Sequence, residues 1–248
     1  MTLPIYGSIE VLSHDTRCCS IFKRDEDGDL GLSEHMNCTL DVVDGPRAYK
    51  EYSLAMKVDI KDKEDLAIKG YVVWEGPALE RPLWRDRQLC GFFQCENELG
   101  YVAVHYSMFD LAVQANIKVS LSHKLGFAHV YPKVYGSLIV EYNCFDYSSR
   151  YNKEHYRSVL FRRMGDNFVQ LNADFTLPLS RTVVVVPQYA SLVINVDLDL
   201  SGQKLLCARE IEIGEGRITL DTNDYMLHIE VDWCEVKCDN LLNDRFSL

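Results

Sequence analysis

Apolar and polar residues alternate along most of this chain. Ile9 and Val11, then Leu54, Met56, Val58 and Ile60, then Val102, Val104 and Tyr106, then Ile117, Val119 and Leu121 each recur at every second position. Leu192, Ile194 and Val196 alternate in the same way with Val193, Asn195 and Asp197. That period sends successive side chains to opposite faces of an extended backbone, so each run predicts a half-buried strand. The clearest is Tyr225, Leu227, Ile229, Val231 and Trp233, with His228, Glu230 and Asp232 between them, and it places Trp233 in the core. Residues 183–186 are all valine and end at Pro187, which predicts a strand buried on both faces. Turn chemistry separates the runs, as in Asp27-Gly28-Asp29, Glu75-Gly76-Pro77, Ser201-Gly202 and Gly214-Glu215-Gly216. Helical spacing is confined to two short stretches, 110–115 behind an aspartate cap and 151–156. Residues 77–87, with two prolines and several charges, read as an exposed loop.

The strands come in two similar sets. Tyr6-Gly7-Ser8-Ile9-Glu10-Val11 recurs as Tyr135-Gly136-Ser137-Leu138-Ile139-Val140, about 130 residues later. Cys19-Ser20-Ile21-Phe22-Lys23-Arg24 is echoed by Ser158-Val159-Leu160-Phe161-Arg162-Arg163, and an acidic turn follows each. Thr39-Leu40-Asp41-Val42-Val43 answers to Thr176-Leu177-Pro178-Leu179-Ser180. Ser53-Leu54-Ala55-Met56-Lys57-Val58-Asp59 answers to Ser191-Leu192-Val193-Ile194-Asn195-Val196-Asp197. The expected fold is all-β: two pseudo-repeated antiparallel β-sandwich-like halves, 1–125 and 126–248, packed together or merged, with few short helices. A strand at 116–121 precedes the second copy, whereas only residues 1–4 precede the first. Either an upstream strand is missing or the C-terminal strand closes the sheet.

Composition narrows the function classes. The 248 residues carry 26 basic and 37 acidic side chains, a net charge of −11, and both halves are mildly acidic. Such a balance disfavours dominant binding to nucleic-acid backbone or to an anionic membrane, since both need clustered Lys and Arg. No apolar run reaches the roughly 18 residues that a membrane helix requires. With no secretory leader in view, the nine scattered cysteines read as reduced thiols of a cytoplasmic protein. In that compartment the Asn37-Cys38-Thr39 sequon stays unmodified.

Candidate chemistry is sparse. An EF-hand counted from Asp25 needs Gly and Glu where Leu30 and Met36 stand, so residues 25–29 read as a solvated hairpin tip. Calcium held as in a lipid-binding sandwich would add Asp62, Glu64 and Asp65. Cys90, Cys95, Cys234 and Cys238 are the one set of thiols with zinc-like pairing, yet their spacing is looser than in structural zinc sites, and no metal or cofactor is expected. Phosphate-binding, dinucleotide, nucleophile-elbow and zinc-protease motifs are missing from the sequence, which argues against an enzyme. The densest basic stretch is Arg150, Lys153, Arg157, Arg162 and Arg163, interleaved with Tyr151, Tyr156 and Phe161. It falls in an insertion of the second copy. Arg150, Tyr151, Lys153, Tyr156, Arg157, Arg162 and Arg163 are therefore the expected contacts for an acidic protein patch or for RNA.

Several blocks carry a family resemblance. Residues 5–11 with 21–27, Asp44-Gly45-Pro46-Arg47-Ala48 with the strand 54–60, the block 111–119, the run 181–187 and the ending Ile229-Glu230-Val231-Asp232-Trp233 together resemble a plant domain of unknown function abundant in grasses. That family also occurs as the C-terminal part of cereal jasmonate-induced proteins, behind a ribosome-inactivating domain. The resemblance implies a stress or defence setting and a connection with translation, and it supplies no catalytic residues. The fused cereal proteins have been likened to cap-binding factors, which brings Trp74, Trp84 and Trp233 in as an aromatic sandwich. RNA N-glycosylase chemistry needs Glu and Arg one helical turn apart, a spacing met by Glu154 and Arg157, in a tyrosine-rich loop. The expectation is a non-catalytic interaction module that binds a protein partner through loops. The alternative is a ribosome-inactivation-associated protein acting on or near ribosomal RNA.

Overall fold

The computed structural model describes residues 2–12, 18–25, 31–33, 53–62, 67–75, 88–98, 100–109, 111–125, 131–143, 157–171 and 174–235. All of their regular structure is strand and turn, and every paired strand is antiparallel. The chain divides into two compact units, the first reaching Met108 and the second beginning at Phe109.

In the first unit, β1 (Thr2–Leu12), β2 (Cys18–Arg24), β4 (Ser53–Asp62) and β5 (Ala67–Glu75) form a sheet in the order β2-β1-β4-β5, and β3 (Gly31–Ser33) pairs with the start of β1. β6 (Gln88–Asn97) and β7 (Gly100–Phe109) form a second, two-stranded sheet. The alternation explains the packing. Ile9, Phe22, Met56, Val58 and Ile60 turn inward from the larger sheet and meet Cys95, Val102, Val104 and Tyr106 from the hairpin.

The second unit repeats this order with more strands. β9 (Lys133–Tyr142), β10 (Ser158–Arg163), β13 (Leu192–Leu200) and β14 (Gln203–Ile211) form the sheet β10-β9-β13-β14, with β11 (Val169–Gln170) on β9. Facing it are β8 (Ala112–His123), β12 (Val183–Pro187), β15 (Arg217–Asp221) and β16 (Tyr225–Glu235), in the order β12-β8-β16-β15. Leu192, Ile194, Val196, Leu198 and Leu200 are buried along one face of β13, packed with Leu138, Val140, Ile117, Val119, Leu227 and Ile229. Each such side chain contributes about 1.5–3 kcal/mol by leaving water. Ser201 and Gly202 join β13 to β14 with φ of 54° and 90°, the left-handed pair that a two-residue hairpin demands.

The repeat is real at the level of register. β1, β2, β3, β4 and β5 match β9, β10, β11, β13 and β14 in order and pairing. Both copies carry a bulge at the same place: Ile21 is skipped between the pairs Ile9–Phe22 and Glu10–Ser20, and Leu160 between Leu138–Phe161 and Ile139–Val159. The hairpin β15–β16 follows β14 as β6–β7 follows β5. Among the described residues, the second sheet of the first unit has two strands and that of the second unit has four.

Two expectations change. The described part of 110–115 makes no helical turn: from Ala112 onward it is strand, because Val113–Asn116 pairs with β12 on one side and β16 on the other. β8 completes the sheet of the second unit. β12 is an edge strand, with Val184 and Val186 buried and Val183 and Val185 half-exposed, so it is not covered on both faces. The expected helix at 151–156, the loop at 77–87 and the segment Thr39 to Val43 lie outside the described residues.

Candidate functional site

Internal duplication marks the positions that both copies keep. In the first unit, Ser8 on β1 pairs with Lys23 on β2 and with Asp59 on β4. In the second, Ser137 on β9 pairs with Arg162 on β10 and with Asp197 on β13. Each sheet thus carries the same row, cation, serine, aspartate, on the face turned away from its core. The neighbouring row differs: Tyr6 pairs with Lys61, whereas its counterpart Tyr135 pairs with Asp199.

A glycine sets the geometry of each row. Gly7 and Gly136 have φ of 121° and 112°. A Cβ on Gly7 would collide with the carbonyl oxygen of Asp59, and one on Gly136 with that of Asp197. Only a residue without a side chain lets the two backbones come this close.

The electrostatics of the two sites diverge. In the first, Tyr6, Gly7, Ser8, Lys23, Asp25, Asp59 and Lys61 line an open surface depression of about 240 Å³. Lys61 Nζ lies 6.0 Å from the centre of the Tyr6 ring, and Lys69 Nζ lies 3.4 Å from Asp59 Oδ1. In the second, the Tyr135 hydroxyl is hydrogen-bonded to Asp199, which pushes the phenol above its ordinary pKa, and Gly202 N donates to Asp199 Oδ1 at 2.6 Å. Beyond Arg162 and Arg163 the chain turns through Met164, which is 72% exposed, to Phe168, whose ring has Lys133 Nζ 4.5 Å from its centre.

Of the residues expected to contact a partner, Arg162 and Arg163 are exposed at the end of β10. Arg157 is different: its Nε donates to Glu141 Oε2 at 3.0 Å, and Asn195 Nδ2 donates to the other oxygen at 3.1 Å. Arg150, Tyr151, Lys153 and Tyr156 lie outside the described residues, as do Glu154, Trp84, Cys238 and residues 26–30. Cys95 is buried in the core of the first unit, close over Gly70, so its thiol serves packing. Cys234 is half-buried on β16 of the second unit, where Asn116 Nδ2 approaches its sulfur at 3.2 Å. Among the described residues no group of three His, Cys, Asp or Glu is arranged to hold a metal ion. Trp233, expected in the core, is half-buried and donates from Nε1 to the Glu215 carbonyl at 2.8 Å.

One cluster had no trace in the sequence spacing. His228 Nε2 lies 2.8 Å from Ser122 Oγ, while its Nδ1 lies 3.1 Å from both Arg217 Nη2 and Thr219 Oγ1. A serine beside an imidazole invites a nucleophilic reading. The hydrogen-bond network assigns the opposite tautomer. Arg217 has only protons to offer, so Nδ1 accepts, and Nε2 carries the ring proton and donates it to Ser122. An imidazole in that state is not a base toward Ser122, and the orienting partner is a cation where a triad places a carboxylate. Cys207 is no better as a nucleophile: burial pushes its thiol pKa up, against a smaller opposite effect of Arg209.

A family model described as Domain of unknown function (DUF6598) matches residues 1–232. Neither the curated proteins nor the solved structures contain a match.

Proposed function

This chain belongs to the DUF6598 family, a domain of unknown function, and on that premise we propose that it is a non-catalytic, β-rich interaction module that binds a protein partner. The observation that carries this reading is the end of β10. Arg162, Arg163 and Met164 are exposed there in succession, and Phe168 follows after the turn with Lys133 of β9 against its ring. Two cations beside exposed apolar side chains on a rigid sheet form the composition of a protein contact, and in an acidic chain they select an acidic patch on the partner. The insertion that precedes β10 extends the contact through Arg150, Tyr151, Lys153 and Tyr156. Arg157 supports it from within by fixing the start of β10 to Glu141.

The setting we propose is the cytoplasm of a plant cell under stress or attack, drawn from the likeness to the C-terminal part of cereal jasmonate-induced proteins. The test uses intact protein and a double charge reversal, Arg162→Glu with Arg163→Glu. Partners captured from plant extract are identified, purified and titrated directly. Saturable binding that the reversal weakens at least tenfold, with unchanged melting temperature, supports the proposal. Equal binding by both proteins overturns it. Incubation with plant ribosomes, scored by aniline cleavage of the RNA, tests the enzymatic alternative, and depurination would replace this reading.

A further inference from the structure

β14 is an edge strand: it pairs with β13 on one side, and among the described residues no strand pairs with its other side. The turn at Ser201 and Gly202 fixes which backbone groups face outward. In a two-residue hairpin the residues that flank the turn, here Leu200 and Gln203, exchange hydrogen bonds, and every second pair after them does the same. Gln203, Leu205, Cys207, Arg209 and Ile211 therefore direct their N–H and C=O groups to β13. Lys204, Leu206, Ala208 and Glu210 turn theirs to the open side, along a strand that contains neither a proline nor a bulge. The side chains of these residues are exposed, Leu206 to 69%.

Such an edge is a template for another strand, and the order of its side chains says which strand. Lysine, leucine, alanine and glutamate follow one another at alternate positions. When β14 is reversed about a twofold axis through Cys207, Lys204 stands opposite Glu210 of the second copy and Leu206 opposite its Ala208. Opposite charges and apolar side chains then meet in direct cross-strand pairs, and every outward N–H faces an outward C=O. Within one chain Lys204 and Glu210 already have neighbours. Lys204 Nζ lies 3.8 Å from Asp197 Oδ1, with both side chains more than half exposed, and Glu210 Oε1 accepts from Asn143 and Ser191. The open backbone supplies the attraction in this arrangement, and the two charges select its register. The equivalent strand of the first unit, β5, has Ala67 and Val73 where β14 has Lys204 and Glu210, so its reversal matches no charges.

We propose that two copies of this chain associate through β14, antiparallel and centred on Cys207, so that one sheet runs from β10 of the first copy to β10 of the second. Cys207 faces its own counterpart in a pair that shares no backbone hydrogen bond, where Cα atoms stand about 4.5 Å apart. Each Arg162 remains at a far edge of the joined sheet, away from the contact.

The experiment is analytical ultracentrifugation of the full chain over a wide range of concentration. The expected result is a reversible equilibrium between monomer and dimer. Ala208→Pro removes an outward N–H that β13 does not use, so it keeps the melting temperature and raises the dissociation constant at least tenfold. Leu206→Asp, at a solvent-facing position, gives the same loss and serves where the proline disturbs folding. The register is read separately with a short bifunctional maleimide at mildly alkaline pH. Peptide mass spectrometry is expected to find Cys207 joined to Cys207, a product that only two chains can form, and Ala208→Pro removes it. A chain that stays monomeric at the highest concentration, a dimer that neither substitution weakens, or cross-links that map only to other cysteines each overturn the proposal.

Discussion

Arg157 and Glu141 form a charge pair across the first turn of a sheet edge, with N–O separation 3.0 Å and side chains only 23% and 14% exposed. The insertion that ends at Arg157 therefore enters β10 through a fixed point. Removing the guanidinium takes a cation away from a largely sheltered carboxylate, to which Asn195 also donates. Arg157→Ala is expected to cost about 1–3 kcal/mol in urea unfolding. Arg162→Ala and Arg163→Ala, at exposed positions, change stability by no more than about 0.5 kcal/mol. The three arginines of one short stretch thus separate into one held by an ion pair and two that are exposed.

Gly136→Ala tests the close approach of β9 and β13. The substitution meets both an unfavourable φ of 112° and a collision with the Asp197 carbonyl, so the expected loss is roughly 2–4 kcal/mol. Gly202→Ala is the control. Its φ is 90° and nothing lies within 4 Å of an added Cβ, so backbone strain acts alone and the loss is about 1 kcal/mol. Denaturant midpoints of the two variants, compared at equal slope, measure the difference.

The Tyr135–Asp199 hydrogen bond gives a pH signature. A phenol whose folded pKa lies above its unfolded value favours the folded state below the ordinary value of 10.0, and that contribution fades as pH rises through the folded pKa. Asp199→Asn removes both the acceptor and the nearby charge. Tyr135 then ionises at lower pH, which ring carbon shifts followed through the alkaline range will report. An unchanged titration would mean that Asp199 does not hold the phenol in solution.

At the acid end the relevant pair is Lys124 and Asp221, 2.8 Å apart. The hydrogen bond from Lys124 and its charge hold the Asp221 carboxyl below its usual range. Its contribution is present above the ordinary aspartate pKa of about 4 and is lost as pH falls through the lower folded value. Lys124→Met should therefore differ from the parent protein near neutral pH and converge with it in strong acid. A constant gap across the acid range would assign the effect to packing.

Much of this architecture is written in period two. Every strand named from alternation is a strand, and the Tyr-Gly-Ser repeat finds its counterpart in identical register, because a slip by one residue would turn Ile9 or Leu138 to solvent. Residues 110–115 mislead for a physical reason. Leu111, Ala112, Gln114 and Ala115 are sound helix formers behind an aspartate, but pairing to two neighbouring strands outweighs a few tenths of a kcal/mol of propensity per residue. The site was less legible. Serine, lysine and aspartate meet in one row only once β2, β1 and β4 are aligned, and Ser122 meets His228 across 106 positions of sequence. No local window contains such pairs.

The placing of β8 beside β16 also has a consequence for how the protein is made. Among the described residues, the two central strands of the four-stranded sheet are the first and the last of their unit, with Val113 opposite Glu235. A chain leaving the ribosome carries the apolar face of β8 without its central partner until nearly the whole unit has been synthesised. Pairing over so long an interval is slow and exposes strand edges while it waits. Translation speed through this stretch, and chaperones that shield a nascent β8, are then the conditions on which its yield depends.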